Sequence, residues 1–136
     1  MADHAAQRVD VITPEGPAFE GEAEIVVVPG TAGQLGILAN HAPLVSSLKP
    51  GEMHVTDMEG TRHEWATDGG FVSVRKNETV VLVGEAVPRD RIDAAEARSR
   101  LERAQAELER AREGDGDVYR AEREAAFAEV LVRIST

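Results

Sequence analysis

The chain has 136 residues, a net charge of −10 and no cysteine, a size that fits one ordinary domain or a small domain with an appendage. The lack of cysteine excludes disulfides and cysteine-ligated zinc, and the acidic charge argues against binding to DNA or RNA. No signal-peptide pattern opens the sequence, and no apolar run approaches the roughly 18–20 residues that cross a bilayer. We therefore expect any membrane contact to be indirect.

Charge is distributed unevenly along the chain. Residues 1–88 carry 5 basic and 13 acidic side chains, whereas residues 89–136 carry 10 basic and 12 acidic ones. A dense mixture of both signs is typical of solvated helices, and the sparser first part holds most of the glycines and prolines. The sequence therefore predicts two regions of different architecture, a β domain over residues 1–87 and a helical hairpin over residues 88–136.

The first region reads as a series of short strands. Apolar and polar residues alternate from Val9, and a β-branched run covers residues 25–28. Two hairpins are predicted over residues 53–67 and 71–83, each with polar or glycine residues at its turn. Short β-branched segments at about 8–12-residue spacing are typical of a sandwich or barrel.

From Pro88 the hydrophobic period becomes that of helices. The proline ends the sheet region because its ring cannot donate to a strand ladder, and Asp90 or Asp93 can cap the helix that follows. Helices are predicted over about residues 91–113 and 117–134, with a Gly-Asp turn between them.

Each predicted helix carries a narrow apolar seam, so the two should form an antiparallel hairpin. The seam residues recur at spacings of three and four: Ala97, Leu101, Ala104, Leu108 and Ala111, then Val118, Ala121, Ala125, Ala128 and Val132. Alanine buries little surface, at about 25 cal/mol per Å², so the hairpin alone should be marginal. A second stripe of Phe127, Leu131 and Ile134 is expected to serve docking or switching, against either the β domain or another subunit.

Few residues suggest catalysis. The four histidines lack metal-ligand spacing, no serine lies in a nucleophile elbow, and no phosphate-binding loop occurs. His54 and His63 could pair across the first predicted hairpin, although solvent-facing positions are favoured. Trp65 is interpreted as a packed residue.

His41 lies in the stretch "GQLGILANHAPL" (33–44), which we interpret as a loop. Gly33 and Gly36 would allow tight turns, and Leu35 and Ile37 would anchor the loop in the β domain. No nucleophile or orienting carboxylate lies nearby in sequence. A histidine that hydrogen-bonds the loop backbone is therefore favoured over a catalytic base.

The stretch "GQLGILANHAPLVSSLKPG" (33–51) resembles the G-x-L-G-I-x-x-x-H-A-P-L…L-K-P-G signature of the epsilon subunit of F-type ATP synthases. The segment "GGFVSV" (69–74) is similar to the Gly-Gly-Phe strand of that family, and "IDAAEA" (92–97) to its first helix. The resemblance covers essentially the whole chain. It implies a ten-stranded β-sandwich followed by a two-helix hairpin, and a non-catalytic role in the rotating central stalk.

The same resemblance implies partners and a location. The sandwich would bind the gamma subunit and the c-subunit ring, helping to couple proton translocation to rotary ATP synthesis. The hairpin would extend toward the alpha and beta subunits and inhibit ATP hydrolysis. The protein would lie at the cytoplasmic face of the bacterial cell membrane, held there through the complex. Contacts with gamma or the c ring are expected at Gln34, Ala39, Asn40 and His41.

Some bacterial members of this family bind ATP on the folded hairpin through Ile-Asp-x-x-Arg-Ala and further arginines. Here Glu96 replaces the motif's Arg, and Phe127 and Leu131 stand where the second helix would be basic. A carboxylate beside a polyphosphate is electrostatically adverse, so we expect no cofactor and weak or absent ATP binding. A nucleotide-sensing module and a hydrolase using His41 remain as alternatives. The remnants of an ATP site would be Ile92, Asp93, Ala97 and Arg103.

Overall fold

The computed structural model describes residues 5–114 and 116–135. The outer ends of the two predicted domains, residues 1–4 and 136, and position 115 of the predicted Gly-Asp turn lie outside the described residues. Within the described residues the chain forms nine strands and then two α helices. The strands are β1 (Gln7–Thr13), β2 (Gly16–Gly30), β3 (Gly33–Leu38), β4 (Leu44–Leu48), β5 (Gly51–Asp57), β6 (Arg62–Thr67), β7 (Gly70–Arg75), β8 (Glu78–Val83) and β9 (Ala86–Pro88).

The long strand β2 joins the two layers of the sheet. Neighbouring strands run in the order β1-β8-β7-β4-β2-β5-β6-β9, with β3 added to β2 and with β1 also paired to β2. Because β2 has 15 residues, its first half pairs with β1 and its second half pairs with β3 and β5. The strands therefore fold over into a sandwich rather than lying flat.

Both layers contribute inward side chains to one apolar core. Val9 and Val11 alternate with outward residues of β1 and are fully buried, as two-residue strand periodicity requires. Val26 of β2 and the predicted packed residue Trp65 belong to the same cluster. The predicted β-sandwich followed by a helical hairpin is confirmed, with nine strands in the described part of the chain where the resemblance implied ten.

Residues 33–38 form a strand, so the interpretation of this stretch as a loop was wrong. β3 pairs antiparallel with β2 through a two-residue turn at residues 31 and 32. Gly33 has φ +142°, which suits this turn, but Gly36 lies within the strand opposite Val27 and makes no turn. The alternation of Leu35 and Ile37 with outward residues sets the strand, and Ile37 is fully buried.

The two predicted hairpins are both present. β5 pairs antiparallel with β6, and Asp57 closes their turn by accepting hydrogen bonds from the backbone nitrogens of Glu59 and Thr61, each at 2.9 Å. β7 pairs antiparallel with β8. Their two-residue turn places Lys76 at φ +49° and Asn77 at φ +62°, the left-handed geometry that matches strand twist in tight hairpins.

The helices follow a short 3₁₀ turn, Arg89–Arg91. α1 (Ala94–Arg112) begins later than the expected position 91, because the 3₁₀ turn extends to Arg91 and Asp93 is the N-cap of the helix. Of the two candidate caps, Asp93 is the one used: its Oδ2 accepts a hydrogen bond from Glu96 N at 3.2 Å. α2 (Val118–Ser135) returns antiparallel to α1. Pro88 is the last residue of β9, so the sheet ends one residue beyond the expected domain boundary.

The helices meet along the predicted alanine seam. Ala104, Ala125 and Ala128 form a small buried cluster, and Leu101 and Leu108 pack against it. Small side chains let the helix axes approach closely but bury little surface. Val118, at the start of the predicted seam, is 37% exposed. The hairpin therefore depends on further contacts with the sandwich.

Candidate functional site

His41 lies in an exposed turn after β3. Its backbone nitrogen donates to Leu38 O at 3.2 Å, and its ring Nδ1 lies 2.7 Å from Ala42 O. Because a carbonyl oxygen only accepts, Nδ1 carries the proton in this hydrogen bond. The histidine thus bonds the backbone, as predicted.

Asn40 connects this turn to two other parts of the sandwich. It adopts φ +62°, a left-handed conformation that asparagine tolerates. Its backbone nitrogen donates to Asn77 Oδ1 at 2.8 Å, and Asn77 Nδ2 donates to Ala6 O at 2.8 Å. The turn is therefore fixed to the β7–β8 hairpin and to the residue before β1.

The predicted partner contacts fall into two separate groups. Gln34 lies near the beginning of β3, whereas Ala39, Asn40 and His41 follow its end. At about 3.3 Å per strand residue, the two groups are roughly 16 Å apart along the strand. Gln34, Asn40 and His41 are exposed and Ala39 is half-buried. A single small contact would not include both groups.

Gln34 lies near the C-terminal end of α2, away from the turn of Ala39, Asn40 and His41. It lines a cavity of about 100 Å³ together with His54 and Ile134. Burial, and secondarily the nearby Arg62 charge, lower the pKa of His54, and its Nδ1 is buried without a hydrogen-bond partner in the described part of the chain. This histidine therefore favours its neutral form in the folded protein.

His63 does not pair with His54, because its strand register places it opposite Val55. Its Nε2 lies 2.9 Å from Asp57 Oδ2, and this hydrogen bond lowers the pKa of Asp57. The His63 ring also stacks on Trp65, with centroids 6.2 Å apart. Both His54 and His63 are half-buried, rather than the solvent-facing residues that the sequence favoured.

The second stripe of α2 packs on the sandwich. Phe127 is fully buried, and Leu131 and Ile134 are 5% and 6% exposed. They form one cluster with Ala66 of β6 and Ala97 of α1. Val87, Ile92 and Val132 pack against its edge. In this arrangement the stripe is a docking surface between the hairpin and the sheet.

Arg100 connects the hairpin to the sandwich through charged groups that no sequence motif marks. Its Nε donates to Glu124 Oε1 of α2 at 2.7 Å, and its Nη2 donates to Glu85 Oε2, between β8 and β9, at 2.9 Å. The guanidinium lies 4.8 Å from the centroid of the Phe127 ring. Hydrogen bonding to Glu124, partly opposed by burial, raises the pKa of Arg100. We call Arg100, Glu85 and Glu124 the Arg100 bridge.

A second polar contact reinforces the same junction. Arg123 of α2 donates from Nη2 to Asp68 O at 2.9 Å, and Asp68 Oδ1 accepts from Glu85 N at 2.8 Å. Asp68 thus fixes the backbone that carries Glu85. The only sequence signal for these contacts was that Arg100 and Glu124 flank the seam, as charged pairs do in coiled coils.

The expected remnants of an ATP site line one groove of about 520 Å³ beside α1. Ile92, Asp93, Ala97 and Arg103 all border it, together with Glu96 and Leu131. Asp93 is engaged in capping α1. Glu96 places a carboxylate in the same groove. The groove therefore combines two exposed cations, Arg91 and Arg103, with the carboxylates of Asp93 and Glu96.

Apolar side chains are exposed on the outer face of the β1-β8-β7-β4 layer. Ile12 pairs with Leu82, and Leu82 pairs with Phe71, which sets the three side chains side by side. They are 38%, 48% and 58% exposed, and Val45 on the neighbouring strand is 76% exposed. Exposed apolar clusters of this kind mark interaction surfaces. We call these four residues the outer apolar row.

Within the described residues, neither helix is both long and apolar enough for a bilayer span. The same residues contain no group of three or more histidine, aspartate or glutamate side chains arranged to hold a metal ion.

Comparison with known proteins identifies the family that this chain resembles. Residues 6–89 match the family model described as ATP synthase, Delta/Epsilon chain, beta-sandwich domain. The ATP synthase epsilon chain of Desulfitobacterium hafniense (strain DSM 10664 / DCB-2) is 46% identical over 125 residues, covering 92% of this chain and 91% of the relative. The epsilon chain of Thermosynechococcus vestitus is 38% identical, covering 93% and 91%. The chloroplastic epsilon chain of Chlamydomonas reinhardtii is 36% identical, covering 76% and 77%.

Solved structures support the same fold. A chain of the Euglena gracilis mitochondrial ATP synthase (OSCP/F1/c-ring) superposes with a TM-score of 0.75 at 23% identity, covering 96% of this chain and 82% of that one. A chain of the Tetrahymena thermophila mitochondrial ATP synthase (central stalk/c-ring) gives 0.66 at 15% identity, covering 99% and 100%. With a sandwich, a docked hairpin and relatives that match nearly end to end, the chain belongs to the ATP synthase epsilon chain family.

Proposed function

We propose that this chain is a non-catalytic subunit of the central stalk of an F-type ATP synthase, where it helps to couple proton translocation to rotary ATP synthesis. The observation that carries the proposal is the 46% identity to an epsilon chain over 92% of this chain. A match of that extent includes the helical hairpin as well as the sandwich. The hydrogen bond between His41 and a backbone carbonyl also supports a structural rather than a catalytic residue at this position.

The sandwich offers two exposed surfaces for the gamma subunit and the c ring. One is the outer apolar row, whose side chains lie on the outer face of paired strands. The other is the turn of Ala39, Asn40 and His41, fixed by the hydrogen bonds of Asn40 and Asn77. A subunit that lies between two partners needs two such faces. In that position the protein would be peripheral, at the cytoplasmic face of the bacterial cell membrane.

The hairpin would regulate the complex by inhibiting ATP hydrolysis. Its apolar contact with the sandwich is one small cluster centred on Phe127, Leu131 and Ile134. Release of the hairpin would expose this stripe, and an amphipathic helix with such a stripe can bind a groove on another protein. The alpha and beta subunits are the proposed partners of the released hairpin.

Truncation of the chain after Arg91 tests this division of roles. The shortened protein keeps β9 and the 3₁₀ turn, so the sheet remains complete. In a reconstituted complex we expect normal assembly with gamma and faster ATP hydrolysis than with the full chain. Failure to assemble would contradict the placement of the stalk contacts on the sandwich. Unchanged hydrolysis in an assembled complex would contradict the inhibitory role.

A nucleotide-sensing role is the alternative that the groove beside α1 raises. Glu96 brings a negative charge to that groove, and this charge would repel a polyphosphate. Calorimetric titration of the full chain with ATP should therefore show no binding at micromolar concentrations, whereas Glu96→Arg should increase the affinity. A micromolar dissociation constant for the unaltered chain would favour the nucleotide-sensing alternative.

A further inference from the structure

One cation, Arg100, joins both helices of the hairpin to the sandwich, beside the second polar contact that Arg123 makes. Arg100 lies on α1, Glu124 on α2 and Glu85 on the sandwich, so one guanidinium contacts all three parts. The Arg100 side chain is 29% exposed, and each carboxylate side chain is 41% exposed. Partial burial makes these charge-assisted hydrogen bonds stronger than those of an exposed pair.

The composition of the Arg100 bridge makes it sensitive to the loss of its cation. One positive charge lies between two carboxylates, so neutralising Arg100 would leave Glu85 and Glu124 facing each other across the junction. The guanidinium also lies against the Phe127 ring. Phe127 belongs to the buried apolar cluster of Ala66, Ala97, Phe127, Val130, Leu131 and Ile134, which we call the docking cluster. An ion close to an aromatic face is attracted by the ring quadrupole. Polar and apolar contacts therefore depend on the same side chain.

The sandwich holds its half of the bridge rigidly. Asp68 Oδ1 accepts a hydrogen bond from Glu85 N, and Arg123 binds the Asp68 carbonyl. Gly69 leaves room for this contact, because a Cβ there would lie 3.2 Å from Arg123 Nη2 and 2.7 Å from Leu48 O. The carboxylate of Glu85 is thus presented to Arg100 by a backbone that is itself fixed.

From this geometry we infer that the Arg100 bridge is the latch that holds the hairpin docked on the sandwich without any bound nucleotide. Breaking the Arg100–Glu85 half weakens the attachment of the hairpin to the sheet, to which the Arg123–Asp68 contact and the apolar cluster also contribute. Breaking the Arg100–Glu124 half loosens the two helices from each other. The inference rests on the proposed regulatory role of the hairpin, and it names the residues that set the docked fraction.

The chain contains no cysteine, so single reporter thiols can measure these openings in the full-length protein. Ala66→Cys reports docking, because Ala66 is fully buried in the docking cluster. Ala128→Cys reports the seam between the helices. Val81→Cys reports unfolding of the sandwich core. Each rate of thiol modification follows the population in which that site is open.

Substitutions in the bridge should act selectively on these reporters. Arg100→Gln should raise the modification rate of the Ala66→Cys thiol about fivefold and leave the Val81→Cys rate unchanged. Glu85→Gln should accelerate the Ala66→Cys thiol but not the Ala128→Cys thiol, because the Arg100–Glu124 contact remains. Glu124→Gln should accelerate both. Glu107→Gln, which removes an exposed pair with Arg110 within α1, is the matched control and should change none.

Equal rates for the Ala66→Cys thiol with and without Arg100→Gln would overturn the inference. Equal acceleration of all three reporters would also overturn it, because the substitution would then act on global stability. If a reporter thiol disturbs folding, hydrogen exchange of α2 amides in the cysteine-free chain supplies the same comparison. Because these measurements use the isolated chain, they separate a failed latch from a failed inhibitory role, which only hydrolysis by the complex reveals.

Discussion

At the scale of single residues, close backbone approach decides which positions tolerate change. Gly70 has φ +155°, and a Cβ at this position would lie 1.9 Å from the carbonyl oxygen of Leu82 on the paired strand. Gly36 lies in a strand too, but no atom is within 4 Å of a Cβ built there. The two glycines look equivalent in sequence and differ in backbone conformation and in their neighbours in space.

Gly70→Ala should therefore destabilise the protein strongly. The added methyl group would force β7 away from β8, and we expect a loss of about 3 kcal/mol or more in the free energy of unfolding. Urea denaturation followed by circular dichroism measures this quantity. Gly36→Ala is the matched control and should change it by less than about 0.5 kcal/mol. Similar losses for both variants would contradict the assignment.

The histidine that stands out in the sequence lies apart from the charged junction between the hairpin and the sandwich. His41 stood out because histidine is a frequent catalytic group, yet its ring bonds a neighbouring carbonyl. Arg100 did not stand out, because its partners are 15 and 24 residues away in sequence. Such pairings depend on the packing of helices on the sheet, which a local pattern does not contain.

At the scale of elements, local chemistry predicted most of the structure. Alternation set β1, glycine and polar residues set the β5–β6 turn, and the seam spacing set both helices. β3 was the exception, because a strand broken by Gly36 and flanked by glycine and proline has the composition of a loop. Pairing with β2 provides the hydrogen bonds that make it a strand.

Helix capping allows a direct test at this scale. Asp93 Oδ2 accepts from the backbone nitrogen of Glu96, whereas Asp90 lies in the preceding 3₁₀ turn. Asp93→Ala should lower the free energy of unfolding by about 1 kcal/mol, measured by urea denaturation of the helical signal. Asp90→Ala should have an effect below about 0.5 kcal/mol. The reverse order of effects would contradict the assigned cap.

At the scale of the whole molecule, the hairpin is docked against the sandwich. Phe127 and Leu131 occupy positions that are basic in ATP-binding relatives, according to the sequence resemblance, and here they are buried against β6 and α1. Arg100 adds a charged contact to the same junction. The docked arrangement therefore combines apolar and charged contacts at one junction.

The half-buried His54 predicts a pH dependence of the whole fold. Burial and the Arg62 charge lower its pKa in the folded protein, so the unfolded chain takes up this proton first as the pH falls below about 6.5. The unfolded state then binds more protons than the folded state, and stability should decrease between about pH 7 and pH 5. Thermal unfolding midpoints across this range measure the effect.

The variant His54→Gln lacks this titration and serves as the control. Its unfolding midpoint should fall less steeply than that of the unaltered chain over the same pH range. The pKa of Asp57, which is also lowered, affects stability only at lower pH, where carboxylates become protonated, so the two contributions are separable. Parallel pH profiles for the two proteins would rule out a role for His54.

The sequence by itself determined the β-sandwich, the helical hairpin and the family, because periodicity, turn chemistry and the motif at residues 33–51 are local properties of the chain. Only the tertiary structure decided that residues 33–38 pair as a strand, that Asp93 rather than Asp90 caps α1, and that Arg100 links both helices to the sandwich. The Arg100 contacts join residues far apart in sequence, and the strand pairing and the cap depend on a backbone geometry that residue type alone does not specify. Their energies depend on distance, burial and backbone geometry, which exist only once the chain is folded.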